Sequence, residues 1–161
     1  MNLIAKLLAP QDVLVDADLG SKKRVFEQVG LLFENNHQLA RSAVFDSLFA
    51  REKLGSTGLG QGVAIPHGRL KGLRDACAGL VRLREAIPFD APDGQPVRLV
   101  FVLLVPERAT DLHLQILSEL AQMLSDGGFR ERLLTAPDAA ALHRLVADWM
   151  PDAESHRSAA V

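Results

Sequence analysis

Hydrophobic residues recur along this chain with two different periods, which predict a mixture of strands and helices. The longest apolar run, residues 97–105, consists almost entirely of valine, leucine and phenylalanine, as expected for a central strand covered on both faces. Shorter apolar runs at residues 13–15 and 76–83 predict two further strands. Hydrophobic residues at helical spacing predict five helices. The first starts after an N-cap at Gly20-Ser21 and ends at Asn35-Asn36, and the others cover residues 40–53, 110–126, 129–134 and 138–150.

Strands and helices mixed in this way pack most economically as a central β-sheet with helices on both faces, so the sequence predicts an α/β fold. The chain has 161 residues and no internal repeat, which indicates one domain over residues 1–150. Hydrophobic residues become scarce from Pro151 onward, and we expect residues 151–161 to form a disordered tail.

Composition argues against several classes of partner. The net charge of −2 and the pI near 6.2 disfavour nucleic acid and anionic membrane as main partners. The longest apolar run is far too short to span a bilayer, and the apolar N-terminus lacks the basic region and cleavage site of a signal peptide. The single cysteine, Cys77, permits no internal disulfide. We therefore expect a cytoplasmic protein without membrane insertion, whose N-terminus is a short docking element.

A glycine-rich segment at residues 51–70 is the most distinctive part of the sequence. It contains no Gly-x-x-x-x-Gly-Lys-Ser/Thr run, and its glycines follow a predicted helix rather than a strand, so it matches neither common nucleotide-binding motif. A flexible segment rich in backbone amides is nevertheless able to approach an anion closely. Within this segment His67 lies between Pro66 and Gly68, and we predict that it is a chemical centre rather than an ordinary turn histidine.

One of the other four histidines is placed to join His67. His113 continues the apolar stripe of the third helix at its N-terminal end, which is typical of a histidine at the edge of a core. It also lies in the first helical turn after the longest strand, where helix amides attract anions. If the short apolar segment before His67 runs beside that strand, both histidines emerge at one edge of the sheet. The remaining histidines are predicted to be solvated: His37, His143 and His156.

Thiol and metal chemistry receive little support from the sequence. Cys77 begins an apolar strand pattern and has no Cys-x-x-Cys partner, which favours a core position over a nucleophile. Two histidines without a third nearby ligand make a weak metal site, so we expect no bound metal.

Residues 52–68 resemble the phosphorylation-site signature of the type-2 IIA proteins of the bacterial phosphotransferase system (PTS), the fructose, mannitol and nitrogen-regulatory class. The matching features are Glu52, then Leu59-Gly60, and then Val63-Ala64-Ile65-Pro66-His67-Gly68 at the family spacing. The second histidine of the family lies in a His-Leu-x-x-Leu setting, which His113 and the leucines after it match. The resemblance covers residues 3–149.

The resemblance implies the mannitol/fructose-type IIA fold, in which a mixed central sheet lies between helical layers. It also implies that His67 accepts a phosphoryl group on Nε2 from an HPr-like phosphohistidine carrier, with His113 and Arg51 beside the phosphate. Such transfer between histidines requires no metal or nucleotide cofactor. Further hydrogen-bond donors to the phosphoryl oxygens are expected from Ser56, Thr57 and Gly68.

Within the family, the sequence of residues 51–67 is most similar to the nitrogen-regulatory branch, and we expect no fused IIB or membrane IIC domain. A regulatory member binds target proteins according to its phosphorylation state, because the phosphate changes the surface charge. Two alternatives remain open at this point. One is a sugar-specific IIA that passes phosphate to a separate IIB domain, and the other is a module that binds an anion without covalent chemistry.

Overall fold

A computed structural model describes residues 2–108 and 110–150, and the centre of this part of the chain is a six-stranded mixed sheet. The strand order is β1-β5-β6-β3-β2, and β4 pairs with β6 beyond β3 along the same edge. Strands β5 and β6 are antiparallel, whereas β1 lies parallel to β5, and both β3 and β4 lie parallel to β6. The strands are β1 (Leu8–Ala17), β2 (Gly58–Gly60), β3 (Val63–Ala64), β4 (His67–Leu70), β5 (Cys77–Ile87) and β6 (Val97–Pro106).

Helices cover both faces of this sheet, and each face has its own hydrophobic core. Alternate residues of β6 point to opposite sides, so Phe101 packs with α1, α4, α5 and α6, whereas Val102 packs with α2 and α3. The helices are α1 (Leu3–Leu7), α2 (Lys22–His37), α3 (Arg41–Lys53), α4 (Thr110–Leu124), α5 (Gly127–Thr135) and α6 (Ala139–Asp148). None of them combines the length and the apolarity that crossing a membrane requires.

The long periodic segments of the sequence form the predicted elements. Strand β6 is central, and its residues from Leu99 to Val105 are at most 1% exposed, which confirms the prediction of a strand covered on both faces. Ser21 caps α2, because its side chain accepts a hydrogen bond from the backbone amide of Arg24. At the N-terminus, α1 buries Ile4 in the core and therefore acts as the expected docking element.

Several local expectations are wrong. Gly127 does not end the third helix, which stops at Leu124; it opens α5, whose N-cap Asp126 accepts the backbone N–H of Phe129. His37 is not simply solvated, because its Nε2 lies 2.6 Å from the Oδ2 atom of the fully buried Asp12. His143 is also engaged, since its Nε2 donates to the backbone oxygen of Leu8 over 2.8 Å. The predicted tail, with His156, lies outside the described residues.

Candidate functional site

His67 lines an open cleft at the edge of the sheet, where three elements meet. The residue opens β4, and the carbonyl of the preceding Pro66 accepts the backbone N–H of Leu103 in β6 over 3.0 Å. Helix α3 contributes Arg51 to the cleft, and the first turn of α4 contributes His113. The lining residues are Ser47, Ala50, Arg51, Leu54, His67, Gly68, Arg69 and His113.

The ring of His67 is held in one tautomer by the backbone of its own segment. Its Nδ1 lies 2.8 Å from the carbonyl oxygen of Ile65. Because a carbonyl oxygen only accepts hydrogen bonds, Nδ1 carries the ring proton and Nε2 keeps its lone pair. Burial lowers the pKa of His67 below 6.5; the Ile65 hydrogen bond opposes this shift, and the positive charge of Arg51 adds to it. At neutral pH the residue is therefore a neutral imidazole with a free Nε2.

The second histidine of the cleft meets the first edge to face. The ring centroids of His67 and His113 are 5.1 Å apart, and the ring planes are inclined by 68°. Burial lowers the pKa of His113, and repulsion from His67 when that ring is protonated, and from the charges of Arg69 and Arg51, lowers it further. Its Nδ1 is buried and has no hydrogen-bond partner among the described residues. The predicted meeting of the two histidines at one sheet edge is thus found in the structure.

Two arginines make the cleft electropositive. The Nη1 atom of Arg51 donates to the backbone oxygen of Gly55 over 2.8 Å, and Nη1 of Arg69 donates to that of Glu107 over 3.2 Å. Each of these bonds uses one of the five guanidinium N–H groups, so other donors remain for a ligand. Two cations beside two neutral histidines favour a multiply charged anion such as a phosphoryl group.

Arg69 is a site residue that the sequence analysis missed. It lies two positions after His67 in β4, and residues at this spacing in a strand point to the same face. A strand assignment for residues 67–70 would have predicted its place in the cleft. The segment is only four residues long, however, and Leu70 is its one large apolar residue, so its alternation is too short to identify it as a strand.

Gly68 permits an unusually close approach of β4 to α3. A Cβ atom added to Gly68 would lie 2.2 Å from Oγ of Ser47 and 3.1 Å from its backbone carbonyl carbon and oxygen. Ser47 in turn donates a hydrogen bond to the backbone oxygen of Arg69 over 2.7 Å. The missing side chain therefore brings the helix that carries Arg51 against the strand that begins with His67.

Ser56 and Thr57 are not among the residues that line the cleft. The Oγ of Ser56 donates to the backbone oxygen of Phe89 over 2.6 Å and accepts the N–H of Gly58 over 3.0 Å. Thr57 is buried, and its hydroxyl donates to a carboxylate oxygen of Glu52 over 2.5 Å. Both hydroxyls are thus engaged within the protein, away from His67.

Cys77 has the core position that the sequence analysis favours. It is 6% exposed at the start of β5 and packs in the cluster that lies against α2 and α3. Burial, with a smaller contribution from the negative charge of Asp12, raises the pKa of the thiol to about 12. A thiol with so high a pKa is not a nucleophile near neutral pH.

The fold and the paired histidines define a class of protein that sequence comparison also identifies. A family model described as "Phosphoenolpyruvate-dependent sugar phosphotransferase system, EIIA 2" matches residues 6–149. The chain belongs to this family. Among curated relatives, the nitrogen regulatory protein of Pseudomonas aeruginosa is 46% identical over 149 residues, which are 92% of this chain and 97% of the relative.

Solved structures agree with this family assignment. The crystal structure of nitrogen regulatory protein IIA-Ntr from Neisseria meningitidis has a TM-score of 0.86 and 51% identity, covering 90% of this chain and 99% of that one. The mannitol enzyme IIA of Escherichia coli, solved in a complex with phosphorylated mannitol enzyme IIB, has a TM-score of 0.75 and 20% identity, covering 89% of this chain and 100% of that one. The second likeness shows the shared fold, and the predicted mannitol-type IIA fold is confirmed.

Proposed function

We propose that this protein is a cytoplasmic phosphocarrier, and that His67 accepts a phosphoryl group from the phosphohistidine of an HPr-like carrier. The strongest support is the 2.8 Å hydrogen bond from Nδ1 of His67 to Ile65, since it reserves the lone pair of Nε2 for attack. In the transfer, Nε2 forms a bond to phosphorus while the bond from phosphorus to the donor imidazole breaks. The electron pair of that bond returns to the donor nitrogen, so no other reactant is consumed.

The surroundings of His67 suit the needs of this step. Phosphoryl transfer depends mainly on positioning and on neutralising the charge of the phosphoryl oxygens. Arg51 and Arg69 supply positive charge beside the ring, and the lowered pKa of His67 keeps its nitrogen unprotonated. His113 lines the same cleft and meets the accepting ring edge to face, so it is suited to support the phosphate.

The residues proposed to bind the phosphate therefore differ from those that the sequence predicted, which included Ser56, Thr57 and Gly68. In this proposal Arg69 joins Arg51 as a donor to the phosphoryl oxygens, and Gly68 serves by letting β4 approach α3. The hydroxyls of Ser56 and Thr57 shape the segment before β3 rather than contact the phosphate.

We also propose that the output is regulatory, acting on targets in nitrogen, potassium or carbon balance. The proposal is supported by the 46% identity to a nitrogen regulatory protein over nearly the full length of both chains. A phosphate on His67 adds about two negative charges to a cleft that is otherwise electropositive, which changes the protein surfaces that can dock there.

Phosphorylation in a reconstituted system tests the carrier function. The protein is incubated with phosphoenolpyruvate, enzyme I and the HPr-like carrier, and acid-labile phosphate is measured by intact mass. We expect one phosphate on the wild type and none on His67→Gln. His143→Gln is the matched control, since this histidine is half-buried but lies outside the cleft, and it should be phosphorylated like the wild type. A wild type without phosphate rules out the carrier function, and an equal gain in His67→Gln rules out His67 as the acceptor.

A second experiment separates regulation from sugar transport. The phosphorylated protein is mixed with a fructose-type IIB domain, and the phosphate on each partner is followed. We expect the phosphate to stay on His67, whereas rapid transfer to IIB supports a sugar-specific IIA. A pull-down that compares the unphosphorylated and phosphorylated forms then identifies targets that bind only one state.

A further inference from the structure

Glu52 is a buried carboxylate behind the cleft that the proposed transfer step does not use. The residue is 7% exposed and follows Arg51 in α3. Its carboxylate accepts from the Lys22 ammonium over 3.0 Å, from the Thr57 hydroxyl over 2.5 Å and from the Thr57 backbone N–H over 3.1 Å. Such dense pairing is what allows a carboxylate to stay charged in a buried position.

Two further hydrogen bonds connect this carboxylate to His67. The backbone oxygen of Thr57 accepts the N–H of Ile65 over 3.0 Å. The backbone oxygen of Ile65 then accepts the Nδ1–H of the His67 ring over 2.8 Å. Lys22, Glu52, Thr57, Ile65 and His67 therefore form one unbroken series of contacts from the surface to the imidazole.

We infer that Glu52 is a positioning residue that, through Thr57 and Ile65, holds His67 in the Nδ1-protonated tautomer. A neutral imidazole carries its proton on either nitrogen, and the partner of one nitrogen decides which. If the Ile65 carbonyl is displaced, the proton is free to occupy Nε2, and that nitrogen then has no lone pair for phosphorus. The effect on transfer rate rests on the proposed function, whereas the effect on the tautomer does not.

The same carboxylate also fixes the helix end that carries Arg51. It bonds the last turn of α3 to Thr57, just before β2. One buried charge thus positions the nucleophile on one side of the cleft and its arginine on the other.

A matched buried carboxylate lies elsewhere in the molecule and provides the control. Asp12 is fully buried in β1, where it accepts from Nδ2 of Asn36 over 2.8 Å and contacts Nε2 of His37 at 2.6 Å. None of these three residues lines the cleft. Asp12→Asn therefore removes a buried charge at comparable depth without touching the contacts that lead to His67.

The tautomer of His67 is measured by long-range proton–nitrogen NMR on the ¹⁵N-labelled full chain. The wild type should show a protonated Nδ1 and an unprotonated Nε2. Glu52→Gln should shift His67 toward a mixture of both tautomers, whereas Asp12→Asn should leave its signals unchanged. Thr57→Val, which replaces the hydroxyl with a methyl group, should shift the His67 signals in the same direction as Glu52→Gln. Thr57→Ser, which keeps the hydroxyl, should show the wild-type signals. If Glu52→Gln fails to fold, the Thr57→Val spectrum tests the inference in its place. Wild-type His67 signals in whichever of these two variants folds would overturn the inference.

Transfer kinetics provide the second measurement. At saturating phosphorylated carrier, Glu52→Gln should be phosphorylated about tenfold more slowly, because the expected displacement is only a fraction of the roughly 1 Å that costs about 100-fold in rate. Glu52→Gln should keep the wild-type KM for the carrier, and Asp12→Asn should keep the wild-type rate. Equal rates for Glu52→Gln and the wild type would overturn the positioning role. A wild type that takes no phosphate would instead remove the proposed function, and the NMR result would still decide the role of Glu52.

Discussion

The imidazole of His113 meets the imidazole of His67 edge to face, with 5.1 Å between the ring centroids. One ring stands at the first residue of β4, and the other stands in the first turn of α4. Burial is the main reason why both have a lowered pKa, and the charge of His67 contributes to the shift of His113. Near neutral pH the site therefore holds two uncharged rings in contact, and the hydrogen bond to Ile65 leaves Nε2 of the His67 ring unprotonated.

Replacement of His113 tests its part in transfer. We expect His113→Ala to bind the carrier with an unchanged Kd but to be phosphorylated about 100-fold more slowly, because one preorganised donor to the phosphoryl oxygens is lost. Rapid-quench kinetics measure the rate, and His143→Ala is the control for loss of a half-buried histidine. A wild-type rate for His113→Ala would leave His113 as a histidine packed at the edge of the core.

The guanidinium group of Arg51 should not be replaceable by an ammonium. Arg51→Lys keeps the positive charge but loses the planar pair of donors, so we expect about a tenfold lower transfer rate, equivalent to about 1.4 kcal/mol. Arg41→Lys at the opposite end of α3 is the control, since Arg41 is exposed and pairs with Glu34. Indistinguishable kinetics for Arg51→Lys would exclude a specific role for the guanidinium.

The lowered pKa values predict how stability depends on pH. Below about pH 6.5 the unfolded chain binds protons at His67 and His113 more readily than the folded chain does. The contribution of these two neutral rings to the free energy of unfolding is complete above that pH. It is lost as the pH falls through their pKa values in the folded protein. We expect the free energy of unfolding to decrease between about pH 7 and about pH 5, and to decrease less in His67→Gln. Urea denaturation at both pH values measures this difference, and equal decreases would contradict it.

The close packing at Gly68 predicts a steric cost for even a methyl group. Gly68→Ala places its Cβ within 2.2 Å of the Ser47 hydroxyl oxygen, so we expect a loss of about 1–3 kcal/mol in unfolding free energy. Gly20→Ala is the control, because a Cβ there meets no atom within 4 Å. Urea denaturation should show the control within about 0.5 kcal/mol of wild type. Equal stabilities for the two variants would mean that α3 shifts away from β4 at little cost in free energy to accommodate the added methyl group.

The parts of the fold that sequence reasoning predicted are those with a long periodic signal. Helices α2 and α3 contain enough hydrophobic residues for their helical period to be recognised, and β6 is recognised by the length of its apolar run. Strands β2 and β4 have three and four residues, too few to show an alternation. Pairing with β3 and β6 forms these strands, so their positions depend on tertiary contacts that no local pattern records.

The candidate site divides in the same way. His67 and His113 were found from their local sequence settings, and Arg51 from the family resemblance; the structure brings all three to one cleft. The contacts of Glu52 were not predictable, because Lys22 reaches it only after α2 packs beside α3. Thr57 lies five residues after Glu52, but only the turn that follows α3 brings its hydroxyl back to the carboxylate. The hydroxyls of Ser56 and Thr57 lie near His67 in sequence and therefore suggested contacts with a ligand. Only the folded backbone shows that they bond to Phe89 and Glu52 instead.

The backbone around His67 is joined to the central strand on both sides of the residue. Pro66 accepts from Leu103, and residues 67–70 continue the parallel pairing with β6. Such a backbone cannot rearrange without breaking the core of the sheet, so a phosphate on His67 should change the local potential far more than the shape. Electrostatic screening limits that potential to about 8 Å at physiological ionic strength. Any partner that distinguishes the phosphorylated from the unphosphorylated protein must therefore contact the region around His67 directly. Its preference for one form should weaken as salt is added.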